Sequence, residues 1–387
     1  MNTFLSSLRQ KLNRFKGMIL ILSLISSPRN APNTMLKKGF LLILCVFSWT
    51  FAQAQDPQYS QFYAAPLYLN PAFAGSAMAP RVNFNHRNQW PSLSANFVTS
   101  SISADMYFDK YNSGVGILLT NDRQFTNLTT TDIGAIYSYH LKISDGLTAK
   151  LGVQGSYVTR GINFADYTFG DQINSYLSTG NYPRVSSDQI LQGGNNLTPQ
   201  LKYWDISSGA LVYSEKFWAG VSVHHINQPS QSFNDKDARL PIKFGVQAGY
   251  RIGLADYMIG NNLGDAIERE KSITPVIHYK RQGASDQLDI GAYLTYSPLV
   301  LGAWYRGIPL KSYTKDNVSI ISHDAAVLLV GYRQDNFSIG YSYDATISRL
   351  GSTGGAHEIS LSYTFTDWIE PSRHARPRKG ELKCPKF

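Results

Sequence analysis

Two adjacent pairs in this 387-residue chain have side chains capable of chemistry. His224-His225 offers two imidazoles of the kind that ligate transition metals, and His357-Glu358 could serve as an acid/base pair. Both pairs lie in stretches with the alternation of a β-strand, where successive side chains point to opposite faces. His224 and His225 then cannot chelate one metal, and one is expected inside a sheet and the other on its outer face. His357-Glu358 opens the last such stretch and reads as a hydrogen-bonding fixture at a rim. There is no G-x-S-x-G elbow, no G-x-x-x-x-G-K phosphate loop and no C-x-x-C. The sequence therefore predicts no catalytic, cofactor-binding or metal-ligating residues, and a protein that is not an enzyme.

The elements that would position these residues repeat one pattern. In 241–253, Ile242, Phe244, Val246, Ala248, Tyr250 and Ile252 share a face, opposite Lys243, Gly245, Gln247, Gly249, Arg251 and Gly253. In 336–344, Phe337, Ile339, Tyr341 and Tyr343 oppose Ser338, Gly340, Ser342 and Asp344; 147–157 and 356–365 behave alike. An apolar face with aromatic ends, backed by a small, Gly-rich face carrying a few charges, suits strands closed around a lumen in lipid. A soluble β-sandwich also alternates, but its second face would not combine glycine with Lys, Arg, Asp and Glu.

Fourteen candidate strands follow: 81–88, 95–106, 114–121, 128–142, 146–160, 201–213, 217–227, 241–253, 272–281, 286–296, 299–306, 324–333, 336–345 and 356–366. Turns after strands four, six, ten and twelve are short, whereas 161–200, 228–240, 307–323 and 346–355, after odd strands, are long. An even barrel with both ends in the periplasm has this parity. The long stretch 254–271 breaks it, and strand twelve, apolar on both faces from Ala325 to Val330, leaves its facing open. The expected fold class is all-β, a transmembrane antiparallel barrel of fourteen strands over 81–366 with a basic periplasmic tail.

The formal charge of +9 is unevenly placed. Residues 1–54 hold seven of the 36 basic residues and no acidic one, and the tail 367–387 has six basic against three acidic. The stretch 55–366 between them is close to neutral, so nucleic acid is not an expected partner. Met35 opens an export signal over 35–54: Lys37-Lys38, an apolar run from Phe40 to Phe47, then Ala52-Gln53-Ala54. Cleavage is expected after Ala54, residues 1–34 read as an upstream start-site artefact, and the run is too short for a membrane-spanning helix. Cys45 falls in the signal, which leaves Cys384 without a partner for an internal disulfide.

Residues 55–80 carry Asn-Pro and Ala-Gly punctuation that argues against a strand. Their aromatic, uncharged content fits a plug packed in the lumen or at its periplasmic mouth; the alternative is a disordered leader. The tail is either a solvated basic extension or a docking peptide for an acidic periplasmic partner or anionic headgroups.

These segments resemble the PorP/SprF family of Bacteroidota outer-membrane proteins, associated with type IX secretion and gliding motility. The resemblance is carried by Asp56-Pro57-Gln58-Tyr59-Ser60-Gln61, by Asn70-Pro71-Ala72-Phe73-Ala74-Gly75, by Gly340-Tyr341-Ser342-Tyr343-Asp344, by Gly354 to Tyr363, and by Cys384-Pro385-Lys386-Phe387. Asn261 to Lys271 looks like an insertion. The resemblance implies an outer-membrane, non-enzymatic component of the secretion machinery, without cofactors. Its implied partners are outer-membrane lipid, periplasmic ring proteins and lipoproteins, and a secreted adhesin-like cargo. A channel for small solutes is the alternative. The candidate partner-binding or structural positions are Asp56, Pro57, Gln58, Asn70, Pro71, Gly75, Tyr341, Tyr343, Asp344, His357 and Glu358, and in the tail Arg376, Arg378, Lys379, Cys384, Pro385 and Phe387.

Overall fold

The computed structural model describes residues 56–366, apart from 126, 164–167, 181–199, 234–237, 255–256, 260–266, 316–317, 335 and 349–352. The leader, the signal and the tail with its six candidate positions lie outside the described residues.

Alternating sequence becomes a closed wall of fourteen antiparallel strands. They are β1 (Arg81–Gln89), β2 (Phe97–Phe108), β3 (Ser113–Gln124), β4 (Leu128–Ser144), β5 (Leu147–Ile162), β6 (Gln200–Tyr213) and β7 (Phe217–His224). The wall continues with β8 (Lys243–Tyr250), β9 (Lys271–Gln282), β10 (Ser285–Tyr296), β11 (Leu299–Lys315), β12 (Val318–Gln334), β13 (Phe337–Thr346) and β14 (Ala356–Thr364). Each strand pairs with the next in sequence, and β14 pairs with β1 from Thr364↔Arg81 to Ala356↔Gln89, which closes the seam. Among the described strands of the wall, each therefore has a neighbour on both sides.

Outward residues are apolar. Ile117 and Leu328 are each 61% exposed, and Ile102, Leu151, Val153, Ile290, Leu301 and Ile339 face out with them. An apolar surface running around the whole wall is far larger than water tolerates on a monomer, so the wall is built for lipid. The facing of β12 is settled by burial: Leu328 and Val330 point out, while Val327 and Leu329 point in.

Two stretches depart from the sequence reading. Of 307–323, expected as a long connection, residues 307–315 and 318–323 are strand: β11 and β12 run seventeen residues each, pairing as far as Lys315↔Val318. The pairing passes register shifts at Arg306/Gly307 and Ile308/Ser312, irregularities that interrupt alternation and hide a strand from a period-2 reading. The stretch 254–270 contains a small separate hairpin, Tyr257–Ile259 with Ile267–Arg269.

The barrel has two distinguishable ends. At the terminal end β1 begins, β14 finishes and the short turns 145–146, 214–216 and 297–298 lie. At the opposite, loop end β5 finishes and β6 begins, and β7 finishes and β8 begins; helix α2 (Gly170–Thr179) falls between β5 and β6 in the chain. The core lies inside the wall, where inward Leu118, Ile136, Leu211, Trp218, Val276, Tyr293, Trp304, Val327 and Leu329 pack on Phe62, Leu67, Ala72 and Phe73 of the segment that precedes β1.

Candidate functional site

The segment ahead of β1 folds locally for reasons its prolines and one asparagine supply. Pro66 opens the four-residue helix α1 (Pro66–Leu69), and Pro71 opens a single tight turn over Pro71–Phe73. Asn70 caps that turn: its Oδ1 accepts from Ala72 N at 2.9 Å. The same side chain ties the segment to the wall, because its Nδ2 donates to Ala210 O on β6 at 3.1 Å and to Val221 O on β7 at 2.9 Å.

The segment's course is fixed by its partners. Asp56 meets the loop end, accepting from His225 Nε2 at 2.7 Å, Lys243 Nζ at 3.1 Å and Gln282 Nε2 at 3.1 Å. Gln58 takes a hydrogen bond from Lys280, and Pro57 O accepts from Tyr68 OH at 2.5 Å. Near the terminal end, Ala74 O accepts from Lys150 Nζ at 2.6 Å and Ser138 Oγ at 2.7 Å, and Gly75 N donates to Asp105 Oδ2 at 2.8 Å. Asp105 in turn pairs with Arg81, the first residue of β1, at 3.0 Å. Residues 56–76 therefore run down the inside of the barrel from the loop end to the terminal end, and then turn back up as β1.

The densest polar cluster surrounds Ser60. Its hydroxyl donates to Asp344 Oδ2 at 2.6 Å and accepts from Arg87 at 2.7 Å and Arg306 at 2.8 Å. Arg87 bridges Asp344 at 2.8 Å and Glu358 at 3.2 Å; Arg306 bridges Asp344 at 2.7 Å and Asp289 at 2.7 Å. Glu358, wholly buried, accepts the backbone N–H groups of Ser60 at 2.7 Å and Gln61 at 2.9 Å. The Gln61 side chain closes the cluster through Glu358 O, Ser342 and Ser360. Two guanidiniums against three carboxylates in a buried cluster are tolerable because each carries at least one opposite-charge partner.

Further down, the fit is steric. A Cβ on Gly152 would lie 2.3 Å from Ala72 N, and one on Gly209 would lie 2.0 Å from Asn70 Oδ1. Gly75 sits at φ +69° with its own Cβ position 2.8 Å from Gly114 Cα, so glycine is required there twice over, by conformation and by space.

Asp56, Pro57, Gln58, Asn70, Pro71, Gly75, Asp344 and Glu358 are thus gathered into one luminal site. Tyr341, Tyr343 and His357 are not: they cluster on the outer face, with Tyr341 OH 2.8 Å from His357 Nδ1 and the Tyr343 and His357 rings 5.0 Å apart. Splitting His357 from Glu358 is simple strand alternation.

The expectation that His224 and His225 face opposite ways is corrected. β7 stops at His224, and His225 takes φ +60°, so the chain turns and both rings lie inside. His224 Nδ1 is 3.2 Å from Ser207 Oγ, and His225 Nδ1 is 3.0 Å from Asp205 Oδ1. Their ring centroids are 6.3 Å apart, and they have separate partners. Among the described residues no group of three or more His, Cys, Asp or Glu is placed to hold a metal ion. At the loop mouth, burial acts to lower the His225 pKa, but the carboxylates of Asp56 and Asp205 outweigh it and raise it to about 9. Burial acts to raise that of Asp56, and His225 and Lys243 outweigh it and hold the carboxyl well below its ordinary range.

The luminal site contains residues that the motifs alone did not mark: Arg87, Arg306 and Asp289 around Ser60, Lys150 and Asp105 at Ala74 and Gly75, and Lys243 at Asp56. Each is a charge on the inward face of a strand. In a barrel wall that signal is readable from sequence, because a charge there needs a partner across the lumen.

Residues 51–363 match the family model described as "Type IX secretion system membrane protein PorP/SprF". None of the proteins of curated function matches the chain in sequence. Among solved structures, a mutant of the TodX monoaromatic hydrocarbon channel aligns at 12% identity and TM-score 0.43, covering 78% of this chain and 94% of that one. The toluene transporter TbuX of Ralstonia pickettii aligns at 10% identity and TM-score 0.39, with the same coverage of 78% and 94%. The outer-membrane protein Omp33 of Acinetobacter baumannii aligns at 10% identity and TM-score 0.37, covering 75% and 100%.

Proposed function

Since this chain belongs to the PorP/SprF family of type IX secretion system membrane proteins, a family of secretion components and not of enzymes, we propose that it is an outer-membrane adaptor barrel. It supports export or surface attachment of a large adhesin-like protein and works through protein contacts without catalysing a reaction. The terminal end faces the periplasm, the loop end faces outward, and the signal is removed after Ala54. In that orientation the tail, with Arg376, Arg378, Lys379, Cys384, Pro385 and Phe387, extends toward periplasmic ring proteins and lipoproteins.

The observation that carries the reading is the filled lumen. A solute channel needs a continuous wet path, whereas here residues 56–76 act as a plug, with Phe62, Leu67 and Phe73 packed against inward Trp304, Tyr293 and Val327. Planar-bilayer recording of the intact protein tests it. The adaptor reading expects no steady conductance; a stable open pore would favour the solute channel. Deleting 367–387 tests the tail: loss of cargo secretion from normally assembled barrels supports docking, and unchanged secretion counts against it.

A further inference from the structure

The contacts of the luminal segment fix the direction in which it runs. Asp56 is held by Lys243, the first residue of β8, by Gln282, the last of β9, and by His225, just past the end of β7, all at the loop end. Nineteen residues later Gly75 is held by Asp105, opposite Arg81 at the very start of β1. Between these points lies the wall's full height: β1 alone is nine residues, about 30 Å at roughly 3.3 Å per residue before tilt. Asn70, bonded to β6 and β7, and Ala72, seated on Gly152, fix the register of the segment toward the terminal end. At the other end of the described chain, Phe365 N donates to Pro80 O, so Thr366 leaves the wall beside the start of β1, at the terminal end.

We propose that the chain enters its own barrel from the loop mouth, so that the residue preceding Asp56 is displayed on the opposite side of the membrane from the tail. This rests on the orientation given above only for which side is which. With the terminal end periplasmic, the flank ahead of Asp56 is open to contact by a partner outside the cell, and the tail by a partner in the periplasm. The molecule then offers one chain end to each side, joined by a segment that threads the lumen. A partner that grips the outer flank pulls directly on Asp56, the first of the contacts that hold the segment in place.

Cysteine accessibility on intact cells tests this, with native Cys384 as the reporter for the tail and Gln55→Cys in a Cys384→Ser background as the reporter for the flank. A membrane-impermeant maleimide should label Gln55→Cys on intact cells and Cys384 only after the outer membrane is permeabilised, with labelling of the denatured protein confirming each thiol. Labelling of both thiols, or of neither, on intact cells places the two ends on one side and overturns the threading. Labelling of Cys384 alone keeps the threading and overturns the orientation instead. A Ser285→Cys, Cys384→Ser variant, at the loop-end start of β10 beside its tight turn from β9, reports which mouth faces out independently of the segment.

Discussion

The two halves of the luminal segment are held by opposite physics. Residues 56–61 are held by charge, with Asp56, Ser60 and Gln61 sharing His225, Lys243, Arg87, Arg306, Asp344 and Glu358. Residues 70–76 are held chiefly by shape, with backbone laid on glycines whose missing side chains make the room, and by hydrogen bonds of Asn70, Ala74 and Gly75 with the wall in place of an ion-pair cluster. A charge lock is directional but carries a desolvation cost, so removing one partner leaves the others stranded. A steric wedge has no such liability and tolerates loss better than gain. The difference says that the loop end is where the segment can be controlled, and the terminal end is where it is anchored.

The most damaging single change should be Arg306→Ala, which strips Asp289 of its arginine and leaves Asp344 to Arg87 alone. A loss of about 3–5 kcal/mol is expected, read as a lower urea midpoint of the folded barrel. Hydrogen exchange should rise over 56–61 far more than over 70–76; equal exchange across both would erase the distinction between the halves. Next comes Gly152→Val, which drives a branched side chain into Ala72 and should cost about 1–3 kcal/mol or more. Limited proteolysis should then open 70–76 first, and cleavage confined to 56–61 would contradict the wedge. Asn70→Ala loses the turn cap and both wall contacts, for about 1–2 kcal/mol, measurable in the same unfolding assay.

The smallest effect is a pH response at the loop mouth. His225, raised to about 9, contributes stability that is complete below its ordinary range and fades as pH climbs through about 9. Asp56, held low, contributes above the ordinary carboxylate range and loses that contribution only in acid. The clasp is thus intact from weakly acidic to weakly alkaline pH. Protection from exchange of the Asp56 N–H, which donates to Gln282 Oε1 at 3.0 Å, corrected for the intrinsic rate, should weaken above pH 9 in the native protein and not in His225→Asn. An identical alkaline profile in the two would sink the assignment.

Much of the wall was legible in sequence, because a lipid-facing strand leaves a period-2 trace; Phe337, Ile339, Tyr341 and Tyr343 do face out as their spacing requires. What failed to show did so for identifiable reasons. The register shifts after Arg306 broke the period and hid half of β11. A positive φ at His225 redirected a side chain that alternation had sent outward. Trp304, Tyr293 and Val327 are apolar yet point inward, since their partner is the segment and not lipid. Of the site, the motifs marked one side, Asp56 to Gly75, Asp344 and Glu358. The arginines opposite them were visible only as inward charges awaiting a counterpart.

Ser60 and Gln61 touch β1 through Arg87, β13 through Asp344 and Ser342, and β14 through Glu358 and Ser360. These strands flank the seam, and Glu358 lies 298 residues along the chain from Ser60. The segment therefore reaches across the join of the wall, bonding to both of the strands that close it. It works as a clasp at the buckle of a belt: what fills the barrel also fastens it.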